Sequence, residues 1–466
     1  MKYISTRGDG SPATFKEAVM TGLARDGGLL LPESFPDVSD KLASWAKLSY
    51  QNLACEIIKL YADDIPEADL RNIVNRSYAV FRDKDVAPVK QVGPVHILEL
   101  FHGPTLAFKD VALQFLGNMF EYLLAKSGGE LNIVAATSGD TGSAAIHGVR
   151  NRKGIRIFVM HPDKRVSPVQ EMQMTTVTDD NVFNIALQGT FDDAQRIVKQ
   201  LFGDLEFKDK NNLGAVNSIN WARVLAQIVY YFYSAFKVQA RTGAQKVSFS
   251  VPTGNFGDIF AGYVAALMGL PVDKLYLATN ENDILSRFFN TGVYSIGEVV
   301  PTLSPSMDIQ IASNFERWLF LRAGRNSATL NDWMKSFADN KSLKIENPAA
   351  STEPDSVIRA GRADTADTLA TIRRFHDDYG YLLDPHSAVG VHVALSQKES
   401  DSPIICLATA HPGKFPDAIE KATDKTGLAT APQIEALKGL PSRKEILPND
   451  YETIARYIDG KISGSV

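Results

Sequence analysis

Cysteine is nearly missing. With Cys55 and Cys406 alone in 466 residues, the chain has no means to build a disulfide framework or a Cys-rich metal site, and a reducing compartment fits it better. No stretch approaches the roughly 20 apolar residues of a membrane span. The opening MKYISTRGDG has no apolar core of signal-peptide length, so the expected location is cytoplasmic. An excess of basic charge is also lacking: 49 Lys plus Arg against 54 Asp plus Glu leave a formal charge of -5. Nothing in that balance holds a polyanion, and nucleic acid is a poor guess for a partner. The eight histidines contain no H-E-x-x-H pair, which leaves metal catalysis without a framework. There is no G-x-S-x-G elbow for a serine nucleophile. Neither the phosphate loop ending in Gly-Lys-Ser/Thr nor G-x-G-x-x-G occurs, which argues against nucleotide hydrolysis and ordinary hydride transfer.

What is present is a globular composition, 44% apolar and 22% charged, too long for one hydrophobic core and pointing to two or three domains. Residues 1–94 alternate helix-spaced apolar positions with turn signals such as Asp26-Gly27-Gly28, and read as a mainly helical accessory domain. From Val95 short β-branched runs alternate with helix-period segments, the α/β pattern. Leu131–Thr137 reads as a buried strand, Ser143–Arg150 as a helix and Ile155–Met160 as the next strand. A second strand and helix fill 246–269, Leu275–Ala278 follows as a strand, and Pro403–Thr409 is a further strand ending in small residues. Trp221–Val238 is apolar on nearly every side, a helix buried between layers. The expected architecture is two three-layer α/β domains, over 95–240 and 241–466, facing each other across a ligand. A helical insertion is expected at about 304–343 and a charged surface cap after Lys421. Neither an internal repeat nor a low-complexity tract is visible.

Three segments carry chemistry. In Phe101-His102-Gly103-Pro104-Thr105-Leu106-Ala107-Phe108-Lys109-Asp110 a Gly-Pro turn feeds a helix and places Lys109 in its first turn. A helix N-terminus disfavours an ammonium, and Phe101, Phe108 and Phe115 could desolvate it. A neutral lysine amine forms Schiff bases and then moves protons; the plain alternative is an exposed lysine at a helix start. In Thr137-Ser138-Gly139-Asp140-Thr141-Gly142-Ser143 a strand runs into a helix through two glycines, so that N–H groups and hydroxyls converge where an anion is favoured. In Pro252-Thr253-Gly254-Asn255-Phe256-Gly257-Asp258 the same geometry recurs and suits a phosphate. Either loop, taken alone, is equally well an ordinary capped turn. His102, His386 and His411 lie beside Gly or Pro in loops and are candidates for touching a ligand, or structural histidines.

An imine-forming lysine and two separate anion loops are what pyridoxal phosphate and an amino-acid substrate jointly need. The segments FHGPTLAFKD, ATSGDTGSAA, NSINWAR, VPTGNFGD, SMDIQIASNFERW, DPHSAVG and LATAHPGKF, in order from Phe101 to Phe415, resemble those of threonine synthase, as does the opening YISTRG. The resemblance implies a fold type II, tryptophan-synthase-β-like pyridoxal enzyme converting O-phospho-L-homoserine and water to L-threonine and phosphate by γ-elimination and β-addition of water. It implies Lys109 as the catalytic, cofactor-holding residue. Gly254, Asn255, Phe256, Gly257 and Asp258 would form the cofactor phosphate cup, with Thr409 at the pyridine nitrogen. Thr137, Ser138, Gly139, Asp140, Thr141 and Arg223 would lie on the substrate side, with Lys164 and Arg165 as further basic candidates for the substrate phosphate. Related fold type II enzymes usually carry Asn where this chain has Asp140, which leaves the role of that carboxylate open. No metal is expected, and the partner is a small molecule, with the chain a monomer or homodimer. The competing readings are a pyridoxal phospho-lyase or dehydratase releasing a 2-oxo acid, and a non-catalytic anion or metabolite binder.

Overall fold

Two parallel sheets organise the chain. In the computed structural model, which describes residues 1–8, 10–137, 139–345 and 355–464, the strands are, in order, β1 (Tyr3–Ser5), β2 (Leu30–Pro32), β3 (Val89–Val92), β4 (Val95–Glu99), β5 (Leu131–Ala136), β6 (Ile155–Pro162), β7 (Val182–Gln188), β8 (Leu213–Gly214), β9 (Val247–Pro252), β10 (Val272–Thr279), β11 (Val293–Ser295), β12 (Ser342–Lys344), β13 (Ile358–Arg362), β14 (Ile404–Ala408) and β15 (Glu445–Pro448). The larger sheet has the order β13-β10-β9-β14-β4-β3 and the smaller β15-β7-β6-β5-β8. Within both, every pairing is parallel except β3 with β4. Central strands such as β9 and β14 are buried at every residue. That burial is why they read as continuous apolar runs rather than as alternating ones.

The helix Trp221–Thr242 starts at Asn220, whose side chain accepts from Ala222 N–H, and stops at Gly243 with φ 74°, the left-handed cap that glycine tolerates. It is buried over nearly its whole length and packs against the helices Tyr50–Ile58, Lys109–Ser127 and Gly257–Leu267. One core therefore runs from the N-terminal helices through both sheets. The region before β3 holds the helices Phe15–Thr21, Leu42–Trp45, Tyr50–Ile58 and Glu67–Tyr78 with the small β1–β2 ladder. The expected insertion holds the helices Phe315–Arg322 and Ser327–Asn340, followed by β12, which pairs antiparallel with β11.

Sheet membership does not follow the expected division of the chain at residues 95 and 241. Strand β4 pairs with β14 and lies in the sheet of β9, away from β5. The segment after Lys421 is more than a surface cap: β15 extends the smaller sheet beside β7. The helix Tyr451–Ser463 then buries Ile454, Ala455 and Ile458 against that unit. A parallel edge accepts any strand with free N–H and C=O groups, whatever its distance along the chain. Because the pairings are parallel, the carboxyl ends of β4, β9 and β14 share one edge, where ligands bind in open α/β sheets.

Candidate active site

The turn before Lys109 is fixed by short local bonds. Asp110 accepts from Thr105 N–H at 2.8 Å and Thr105 Oγ1 at 2.7 Å. A Cβ on Gly103 would fall 2.4 Å from that of Asp110, so only glycine fits beside it. Phe108 N–H donates to the Thr409 carbonyl at 2.8 Å and His411 N–H to the Leu106 carbonyl at 3.0 Å, which binds this turn to the segment leaving β14. Lys109 is the first residue of the helix Lys109–Ser127 and is 9% exposed. Its Nζ lies 5.6 Å from the centre of the Phe108 ring and donates to Ser306 Oγ at 3.3 Å. Burial pulls its pKa from 10.5 to about 8, opposed by Asp140 and helped by Lys414 and Arg223. An amine of that pKa is a competent base and nucleophile near neutral pH.

Asp140 opens the helix Asp140–Val149 after β5. Gly139 before it has φ 148°, and a Cβ there would lie 2.3 Å from Gln170 Oε1. The carboxylate of Asp140 is engaged from both sides. Its Oδ1 accepts from Lys414 Nζ at 2.7 Å and Gln170 Nε2 at 2.9 Å; its Oδ2 accepts from Ser306 Oγ at 3.3 Å and faces Lys109 Nζ at 3.9 Å. Burial would raise its pKa, but Lys414, Lys109 and His386 together hold it far below the usual carboxylate range. Thr137 Oγ1 accepts from the N–H groups of Gly139 and Gly142 at 3.0 and 2.9 Å, so its oxygen shapes the loop. Thr141 is partly buried. Ser138 lies outside the described residues.

The other loop follows β9. Phe256 takes a left-handed φ of 64° before the helix Gly257–Leu267, held by ring contacts to Phe289 and Phe315. A Cβ on Gly254 would meet the Ser306 carbonyl at 2.8 Å, and one on Gly257 the Asn314 Nδ2 at 3.1 Å. Asn255 is exposed. The Asp258 side chain is buried. Its Oδ1 accepts from Tyr230 and Tyr231 at 2.5 and 2.9 Å, so the carboxyl braces the loop against the Trp221–Thr242 helix. Burial pushes it up to about 6. Its Oδ2 is buried with no hydrogen-bond partner among the described residues.

Thr409, buried at the end of β14, donates its N–H to Ser387 Oγ at 3.2 Å. Arg223 is 5% exposed, and its Nε and Nη1 find no hydrogen-bond partner among the described residues. Burial lowers it to about 10. A buried guanidinium left unpaired is costly and calls for an anion. Lys164 and Arg165 are exposed. Of the three histidines, His386 reaches the site: its Nδ1 is 2.9 Å from Asp384 Oδ1 and its Nε2 accepts from Ser306 N–H at 3.2 Å. His102 pairs with Glu99 at 2.9 Å. His411 accepts from Gly413 N–H at 3.0 Å and packs edge-on against Phe101.

Lys414, Ser306 and Gln170 were not anticipated as site residues. Lys414 and Ser306 stand within the segments LATAHPGKF and SMDIQIASNFERW, but neither has a local feature that separates it from a surface lysine or a loop serine. Among the described residues no cluster of His, Cys, Asp or Glu could hold a metal.

Comparison with known proteins shows the family and the fold. The family model "Pyridoxal-phosphate dependent enzyme" matches residues 87–352, flanked by "Threonine synthase N terminus" over 2–78 and "Threonine synthase, C-terminal" over 387–458. The chain belongs to the threonine synthase family. A threonine synthase of Pseudomonas aeruginosa is 47% identical, with 98% of each chain covered. A crystal structure of pyridoxal-phosphate-bound threonine synthase from Brucella melitensis superposes with a TM-score of 0.94 at 44% identity over 99% of each chain. The Escherichia coli threonine synthase structure gives 0.82 at 31% identity, covering 99% of this chain and 100% of that one. The fold is thus that of a fold type II pyridoxal enzyme with a mainly helical N-terminal region.

Proposed function

We propose that this member of the threonine synthase family converts O-phospho-L-homoserine and water to L-threonine and inorganic phosphate, with pyridoxal 5'-phosphate held between the two parallel sheets by Lys109. The observation that carries the assignment of Lys109 is a buried amine of pKa about 8 at a helix start, within 4 Å of a carboxylate on the facing sheet unit. The surroundings suit the cofactor: a low-pKa amine for its aldehyde, a glycine loop at a helix N-terminus for its phosphate, and a strand-end hydroxyl at Thr409 for its ring nitrogen. When bound, pyridoxal phosphate supplies an electron sink that makes the hydrogens at Cα and then Cβ of the substrate removable.

The chain's own residues do the rest. Lys109 Nζ takes and returns protons at Cα and Cβ, and its lowered pKa keeps a useful fraction unprotonated near neutrality. The N–H groups at Gly254 to Asp258 bind the cofactor phosphate. Thr409 would offer the ring nitrogen a hydroxyl in place of a carboxylate, which would leave the ring less electron-hungry. Gly139, Asp140 and Thr141 face the substrate's amino-acid end, and Arg223, buried with two nitrogens unpartnered among the described residues, takes an anionic group of the substrate. No described helix is long and apolar enough to cross a membrane, and two buried free cysteines suit a reducing cytoplasm.

A steady-state assay on O-phospho-L-homoserine with amino-acid analysis tests this. Equal yields of phosphate and threonine are expected. Release of 2-oxobutyrate and ammonia would instead make the protein a phospho-lyase.

A further inference from the structure

We propose that Lys414 is a positioning residue of the site: its buried ammonium engages one oxygen of Asp140, so that the carboxylate stays ionised with its other oxygen turned to Lys109. This rests on the reading of Lys109 as the cofactor lysine.

The two oxygens of Asp140 have separate partners. Oδ1 takes Lys414 at 2.7 Å and Gln170 at 2.9 Å, whereas Oδ2 takes Ser306 at 3.3 Å and stands 3.9 Å from Lys109. The distance to Lys109 exceeds a hydrogen bond, so the close ion pair is with Lys414. The Lys414 side chain is fully buried, and its other contact is the Thr105 carbonyl at 2.9 Å. A buried ammonium and a buried carboxylate each demand a partner, and here each is the other's. The pair also joins two parts of the molecule, since Asp140 follows β5 of the smaller sheet and Lys414 follows β14 of the larger one.

The electrostatic consequence for Lys109 has a sign. The charged groups acting on its Nζ are Asp140, which favours the ammonium, Lys414 and Arg223, which oppose it, and Asp110, which favours it. Asp140 in turn feels Lys414, Lys109 and His386. With Lys414 present the carboxylate's charge is largely matched, and Lys109 stays easy to deprotonate. Without Lys414, Asp140 would face Lys109 as its nearest cation and favour a protonated nitrogen there.

The test uses the holoenzyme and the pH midpoint of its visible absorption, alongside activity. Lys414→Met should raise the midpoint by about one unit, a tenfold change in the protonation constant. Asp140→Asn should lower it, because it removes the charge that favours the ammonium and leaves the Lys414 cation uncompensated. The double variant, neutral at both positions, should return close to wild type in midpoint. Midpoints that do not move, or that move the same way in both single variants, would overturn the proposal. Should Lys414→Met fail to fold, Lys414→Gln, which keeps a hydrogen-bond donor to Asp140 but no charge, takes its place: a rise supports the proposal, and a fall or no change defeats it. Lys414→Arg, which keeps the charge, should retain the wild-type midpoint. Failure of the underlying reading is seen separately, as a visible band that survives in Lys109→Ala.

Discussion

The loop after β5 is held by charge, and the loop after β9 by rings and hydroxyls. Around Asp140 the partners are Lys414, Gln170, Ser306 and, at longer range, Lys109. Around Asp258 they are two tyrosine hydroxyls, with Phe256 packed between aromatic neighbours. Both carboxyls are buried at helix starts after parallel strands, yet their acidities part: Asp140 is held far down by cations, and Asp258 is pushed up to about 6. The same topological slot thus serves two tasks. On the proposals made above, the charge-wired loop would control the protonation of its neighbours, while the aromatic-braced loop would keep its backbone donors fixed and leave charge to the ligand.

Lys109, which faces Asp140, should show the largest effect. In Lys109→Ala we expect turnover to fall by about 10⁴-fold or more, with loss of the visible band; a band that persists would break the assignment. Arg223 sharpens the division next. Arg223→Met should lower kcat/KM for O-phospho-L-homoserine by about 10- to 100-fold, the size of a lost charged hydrogen bond. Its cofactor retention after dialysis should be normal, and a parallel loss of cofactor would place the guanidinium in the phosphate cup instead. At the aromatic loop, Gly254→Ala brings a methyl group to 2.8 Å from the Ser306 carbonyl. About tenfold weaker cofactor retention is expected from such overpacking, and full occupancy at wild-type affinity would count against a cup there.

The smallest effect concerns pH and stability. Asp258 has a folded-state pKa raised to about 6 from 3.8, so between these values the native state binds more protons than the unfolded one, and stability falls as pH rises through that window. Asp258→Asn should flatten this part of the Tm profile, leaving the share due to Asp110, which is raised to about 6 as well. A profile identical to wild type would show that the Asp258 carboxyl does not titrate there.

Local pattern went far where neighbours in sequence are neighbours in space. The helix start at Lys109, the strand–loop–helix passages at 131–149 and 247–267 and the buried helix from Trp221 all show in apolar spacing and turn residues, because these signals are written within a dozen residues. The placement of β4 beside β14, and of β15 beside β7, does not show, since parallel pairing across hundreds of residues leaves no local trace. The same holds within the site. Asp140 and Lys414 are distant along the chain, and no spacing rule links them.

The residues by themselves determined the α/β character of the chain, the three chemical segments and, through resemblance, the pyridoxal enzyme they belong to. Only the tertiary structure decided what each polar side chain faces. It turned the Asp258 carboxyl inward to two tyrosines, exposed Lys164 and Arg165, buried Arg223 with its Nε and Nη1 unpartnered among the described residues, and brought Lys414 and Ser306 to Asp140. Burial and partner distance set the charge state of a group, and both are properties of the folded chain.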